Sequence, residues 1–158
     1  AHVGGLSKQP PEAAWRQAWD EQGKKKPPTQ RLNFLKAILS EAPSYPPGTE
    51  TEYSNQGYAV VGAMLETLAK KSWESLLEDR LFTPLGMKSA GFRDPCHARR
   101  LDHPWGHDEQ GKPVPPNPSR DNPDAIGPGA TVHANIIDWA KFAQFHLRRK
   151  RVVVQRSR

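Results

Sequence analysis

Apolar positions recur at helical spacing in five stretches of the chain, separated by segments rich in proline, glycine and lysine. Residues 11–21 put Trp15, Ala18 and Trp19 on one face, and Pro11 suits a first helical position. After a Lys/Pro/Gly linker at 22–28, a helix is predicted over 29–42. Thr29 can cap it, and Leu32, Leu35, Ile38, Leu39 and Ala42 form its stripe. Pro43 and Pro46-Pro47-Gly48 force a turn. The strongest periodicity follows at 55–71, with Tyr58, Val61, Leu65 and Leu68 on one side. A helix capped by Ser72 then carries Trp73, Leu76, Leu77 and Leu81 to Phe82 and ends at Pro84-Leu85-Gly86-Met87. The last helix is predicted at 136–147. Asn135 caps it, Asp138 is placed to bond back to that cap, and Ile136, Trp139, Ala140, Ala143 and Leu147 form the apolar face.

Residues 91–130 hold half of the 16 prolines and few apolar runs. Short strands are expected around Leu101–Gly106 and Val114. A connection this long is functional or braces a site. The fold class is therefore mainly α, with long loops and a few short strands.

Composition changes that picture little. With 158 residues the chain is one domain or part of one, and 35% hydrophobic content with a mean hydropathy of −0.79 implies a modest core. No 18-residue apolar run exists, so nothing in the chain spans a membrane by a helix. The single cysteine, Cys96, excludes an internal disulfide and is expected to be a loop thiol; a neighbour in sequence such as His97 rarely turns toward it.

Charge changes it more. The net charge is +6, yet residues 148–158 contain six of the 23 basic residues and no acid, so the other 17 balance the 17 acidic residues. The body is neutral and the tail alone is basic, which argues against a nucleic-acid-binding face.

The chemistry concentrates in Tyr53-Ser54-Asn55, where a rigid proline turn becomes a helix N-terminus. Tyr53 and Asn55 face the same way if the segment is extended. A tyrosine beside a lysine can approach phenolate and act as a general base. An asparagine can both donate to and accept from a substrate amide. The plainer alternative is that Ser54 or Asn55 caps the helix and Tyr53 packs beside it.

The surrounding motifs shift that balance. His2-Val3-Gly4-Gly5-Leu6, then Pro47-Gly48 with Tyr53-Ser54-Asn55-Gln56-Gly57-Tyr58, then the Gly62…Glu66 helix follow in order. Leu81-Phe82-Thr83-Pro84-Leu85-Gly86-Met87, Gly127-Pro128-Gly129 and Asp138-Trp139-Ala140-Lys141-Phe142 complete the series. Together these resemble the class C β-lactamase-related serine hydrolases, which include penicillin-binding proteins and esterases. The resemblance runs from residue 1 to about 147. It implies that residues 1–147 are the central helical portion of an α/β serine β-lactamase/penicillin-binding-protein fold, followed at 148–158 by a disordered or foreign basic tail.

The resemblance also implies an acyl-enzyme mechanism on β-lactam, peptidoglycan-peptide or ester carbonyls. Its parts are a Ser-x-x-Lys nucleophile, the Tyr-x-Asn segment and a Lys/His-x-Gly strand. It gives Tyr53 the acid/base role and Asn55 the substrate-amide role. His107, in Trp105-Gly106-His107 by the cleft, is a candidate substrate contact. No cofactor or metal is implied, and the partner is a small-molecule or peptide substrate. Were a signal peptide lost upstream of Ala1, the location would be periplasmic or secreted; the chain by itself leaves localisation open.

Neither outer motif is found. No serine of the chain has a lysine three residues on, and His2-Val3-Gly4 precedes Tyr53 rather than following it. Losing the nucleophile of such a unit lowers kcat on the order of 10⁶-fold. The isolated chain is thus expected to be inactive and to expose apolar helix faces that the missing sheet would cover.

Three other readings compete. Cys96, His97, His103, His107 and Asp108 cluster in sequence, but Pro104 and Gly106 break a helix between the histidines and zinc spacings are not met. The tail can bind phosphates weakly. A non-catalytic scaffold or binding remnant is the third.

Overall fold

The computed structural model describes residues 2–93, 105–115 and 121–148. Its elements in chain order are α1 (Glu12–Glu21), α2 (Pro27–Ile38), α3 (Asn55–Ala69) and α4 (Trp73–Leu77). A π-helical turn (Glu78–Phe82) continues α4 into α5 (Thr83–Leu85). There follow β1 (Gly91–Phe92), β2 (Gly106–His107), β3 (Pro113–Val114), a 3₁₀ turn (Asp124–Ile126), α6 (Gly127–Ala130), β4 (Val132–His133) and α7 (Ile136–Leu147). The expected mainly helical class holds.

The strands form two antiparallel pairs. Gly106 faces Val114 in β2–β3, close to the expected strand positions; residues 101–104 lie outside the described residues. The pairing of β1 with β4, Gly91 opposite His133, has no signature in the hydropathy pattern.

The core is small. Ala14 and Ala18 of α1, Phe34, Leu35 and Ile38 of α2, Ala59 of α3, and Ala125 and Ile126 of the 3₁₀ turn form it. Each buried Phe, Leu or Ile there contributes about 1.5–3 kcal/mol. The end of the proline-rich stretch packs on the helices: Ala125 and Ile126 close the core over α2 and α3.

Two predicted faces need correction. α2 starts at Pro27, capped at Lys26 rather than Thr29, because proline at the first turn forgoes no hydrogen bond. Its buried side is Gln30, Arg31, Phe34, Leu35 and Ile38, whereas Leu32 and Leu39 are exposed. Arg31 is wholly buried because its guanidinium is neutralised there. It pairs with Glu66 of α3, with Glu74 of α4 at 2.7 Å, and donates to the Asp124 carbonyl at 3.1 Å. Glu66 also accepts from the Trp73 amide at 3.0 Å, so one carboxylate joins α2, α3 and α4.

In α3 the Tyr58, Val61, Leu65, Leu68 stripe does share a side, but that side is exposed. The buried side is Gln56, Ala59 and Gly62. Small residues win here because α6 crosses closely: a Cβ on Gly62 would lie 2.3 Å from Pro128 Cγ, and a Cβ on Gly129 would lie 2.9 Å from the Asn55 carbonyl oxygen.

At α7 the Asn135 side chain accepts from the Asp138 amide at 2.9 Å, as expected. The Asp138 carboxylate does not bond back. It accepts instead from the Ser89 amide and hydroxyl, both at 2.7 Å, and from Lys141 at 2.5 Å. Lys141 also donates to the Gly86 carbonyl, and Ser89 Oγ accepts from the Asn135 amide at 3.0 Å. This cluster fastens α7 to the segment after α5. Between α1 and α2, Glu21 accepts from Lys25, Gln17 and Asn33. Burial works against its charge, but those bonds hold its carboxyl below the usual range.

Among the described residues, no helix is long and apolar enough to cross a membrane.

Candidate active-site segment

Tyr53 lies at the end of the proline turn and Asn55 begins α3. Two strips of chain hold them. The N-terminal residues run alongside the turn: Ser44 donates to the Gly5 carbonyl at 2.9 Å, Gly48 to Val3 at 2.8 Å and Glu52 to His2 at 3.0 Å. The Tyr45 hydroxyl clips both strips, donating to the His2 carbonyl at 3.3 Å and accepting from the Glu52 amide at 3.1 Å. From the other side, Gly129 presses on Asn55 where no side chain would fit.

The Tyr53 hydroxyl donates to Asn55 Oδ1 at 3.0 Å. Tyr53 is 58% exposed, so the phenol stands at the surface rather than in the core. With its oxygen engaged, the Asn55 amide leaves its two N–H donors pointing to no protein partner among the described residues. The pair therefore offers an incoming carbonyl compound a donor and a phenol oxygen from one edge.

Ser54 is the N-cap residue, yet its side chain makes no capping bond. It is buried, and its hydroxyl has no hydrogen-bond partner among the described residues. The plain capping role thus fails for Ser54. Its amide donates to His2 Nδ1 at 3.2 Å, and the His2 ring lies 4.6 Å from that of Tyr53 and 5.3 Å from that of Tyr58. His2, Tyr45 and Gly129 are the supports that residue types alone did not reveal.

His107 is exposed on β2, in a hairpin closed by Asp108 donating to Lys112 at 3.0 Å. Among the described residues it makes no hydrogen bond or ring contact with Tyr53 or Asn55. Cys96, His97 and His103 lie outside the described residues, and no group of three or more His, Cys, Asp or Glu side chains suited to a metal forms among the described ones.

Among the described residues one serine–lysine arrangement exists, at Ser89, Asp138 and Lys141, and its chemistry is structural. Hydrogen bonds from Lys141 and Ser89 hold the Asp138 carboxyl down to about 2, so Ser89 donates to a fixed anion and Lys141 is the cation of an ion pair. Neither is an activated nucleophile or a free base.

The sequence model of the Beta-lactamase family aligns with residues 1–158. The chain belongs to the β-lactamase family. This is the β-lactamase and penicillin-binding-protein-like serine hydrolase family that the order of its motifs implied. Penicillin-binding protein 4 of Amycolatopsis lactamdurans is 35% identical over 116 residues, which is 72% of this chain and 30% of that protein. Among solved structures, the octameric penicillin-binding protein homologue of Pyrococcus abyssi is similar with a TM-score of 0.65 at 21% identity, over 97% of this chain and 34% of that one. A class C β-lactamase in complex with cefoxitin is similar with a TM-score of 0.67 at 19% identity, over 95% of this chain and 37% of that one. The fold is the helical part of the β-lactamase fold, and the chain spans about a third of such proteins.

Proposed function

We propose that this chain carries the proton-handling segment of a serine hydrolase that opens β-lactam, peptide or ester carbonyls through an acyl-enzyme. Tyr53 is the acid/base, Asn55 binds the substrate amide, and His107 contacts substrate from the β2–β3 hairpin. The carrying observation is the exposed Tyr53–Asn55 pair at 3.0 Å, rigidly held at the start of α3 in a β-lactamase-family chain.

The 158 residues alone do not turn over. They contain no Ser-x-x-Lys, and no lysine bonds to Tyr53 among the described residues. A neutral phenol without a neighbouring cation is a poor base at neutral pH. The exposed apolar faces support the same view. Leu32, Leu39, Met64 and Leu68 line an open groove of about 670 Å³ between α2 and α3. Ile136, Ile137 and Trp139 of α7 are also exposed. Surfaces like these pack against further fold in a larger protein.

The test is hydrolysis of nitrocefin and p-nitrophenyl esters by the 158-residue chain and by the full-length gene product. Turnover by the full-length product and none by the chain is expected. Turnover by the chain itself that disappears in Tyr53→Phe would overturn the incompleteness of its site.

A further inference from the structure

We infer that His2 is a positioning residue for Tyr53, holding the phenol through the neutral form of its imidazole. The inference rests on the acid/base assignment of Tyr53 for its catalytic consequence, but the coupling itself is a property of this chain. His2 touches the segment at three points. Its carbonyl accepts from the Glu52 amide at 3.0 Å, its Nδ1 accepts from the Ser54 amide at 3.2 Å, and its ring lies against Tyr53 with centroids 4.6 Å apart. The residues before and after Tyr53 are thus both bonded to His2, and the side chain between them rests on the same imidazole.

The protonation state follows from the bond. A nitrogen that accepts from an amide carries no proton, so Nδ1 is the bare nitrogen and Nε2 holds the hydrogen. Protonating Nδ1 fills the lone pair and ends the Ser54 bond. The Ser54 amide then has no acceptor while the residue itself stays buried, and an unpaired buried donor is unfavourable. The backbone between Glu52 and Asn55 must shift, and Tyr53 shifts with it. The titratable groups around His2 are Glu52, which shares its cavity of about 250 Å³, the rings of Tyr53 and Tyr58, and the Tyr45 hydroxyl on its carbonyl.

The first test is an NMR titration of the full chain. The His2 ring, the Ser54 amide and the Tyr53 ring signals should move with one shared midpoint. His2→Phe, which keeps a ring but lacks the acceptor, should abolish the Ser54 and Tyr53 response. His2→Asn, whose Oδ1 can take the place of Nδ1, should restore a wild-type Ser54 amide position. In the full-length gene product, His2→Phe should lower kcat on p-nitrophenyl esters roughly 10- to 100-fold with KM nearly unchanged, and His2→Asn should recover most of it, since small misplacements near chemistry have effects of about that size. Ser54 and Tyr53 signals indifferent to His2 titration and to His2→Phe would overturn the inference. If the signals are coupled but Tyr53→Phe leaves turnover intact, the positioning stands and the acid/base assignment of Tyr53 falls.

Discussion

The Tyr53 hydroxyl and Asn55 Oδ1 lie 3.0 Å apart, and the phenol is the donor. That direction leaves the Asn55 N–H groups for substrate. Asn55→Ala in the full-length product should therefore raise KM for an amide-bearing substrate about fivefold, the usual worth of a neutral hydrogen bond. For a p-nitrophenyl ester, which lacks the amide, KM should be little affected. Equal losses on both substrates would argue against amide recognition by Asn55.

The buried Arg31 makes a second prediction about stability. It ties Glu66, Glu74 and the Asp124 carbonyl together from a site with no solvent access. Arg31→Ala should destabilise the fold by about 3–5 kcal/mol, because two carboxylates lose their buried partner. Chemical denaturation of the full chain measures it. Glu66→Gln should have a smaller effect, since an amide still accepts from the Trp73 N–H.

Much of this was legible in the sequence, and the misses have physical causes. α7 was visible because Asn135 caps a periodic run, the helix at Asn55 because a periodic run follows a rigid turn, and the Tyr53–Asn55 pair because it sits at that junction. The buried faces of α2 and α3 were misassigned because hydropathy ranks Leu and Val above Arg31, Gln56 and Gly62. Arg31 is inside because Glu66 and Glu74, 35 and 43 residues away, neutralise it, and no local pattern encodes that pairing. The support that His2 gives Tyr53 has no local signature because its link to Ser54 spans 52 residues.

Gly129 should tolerate no side chain. A methyl there would meet the Asn55 backbone at 2.9 Å, so either α6 or the start of α3 must give way. Gly129→Ala should destabilise the chain by about 1–3 kcal/mol, as overpacking does, and shift the Asn55 amide signal in NMR spectra. A calorimetric melt unchanged by the substitution would contradict the close crossing.

Asp138 predicts an acid limb. Hydrogen bonds from Lys141 and Ser89 bring its carboxyl from an ordinary 3.8 to about 2 in the fold. Because the folded value is the lower one, the charged cluster adds stability above about pH 3.8, and that stability is lost as pH falls toward 2. Thermal melts of wild type and Asp138→Asn should differ at neutral pH and converge over that acid window. Carbon NMR of the Asp138 carboxyl gives the midpoint directly.

The most direct measurement concerns the phenol oxygen itself. Tyr53→Phe removes one exposed hydroxyl and should leave the melting temperature of the full-length product within experimental error. Its kcat on nitrocefin should fall at least about 100-fold, the scale of general acid–base catalysis. A Tyr53→Phe enzyme that folds normally and hydrolyses nitrocefin at the wild-type rate would contradict the assignment of proton transfer to this residue.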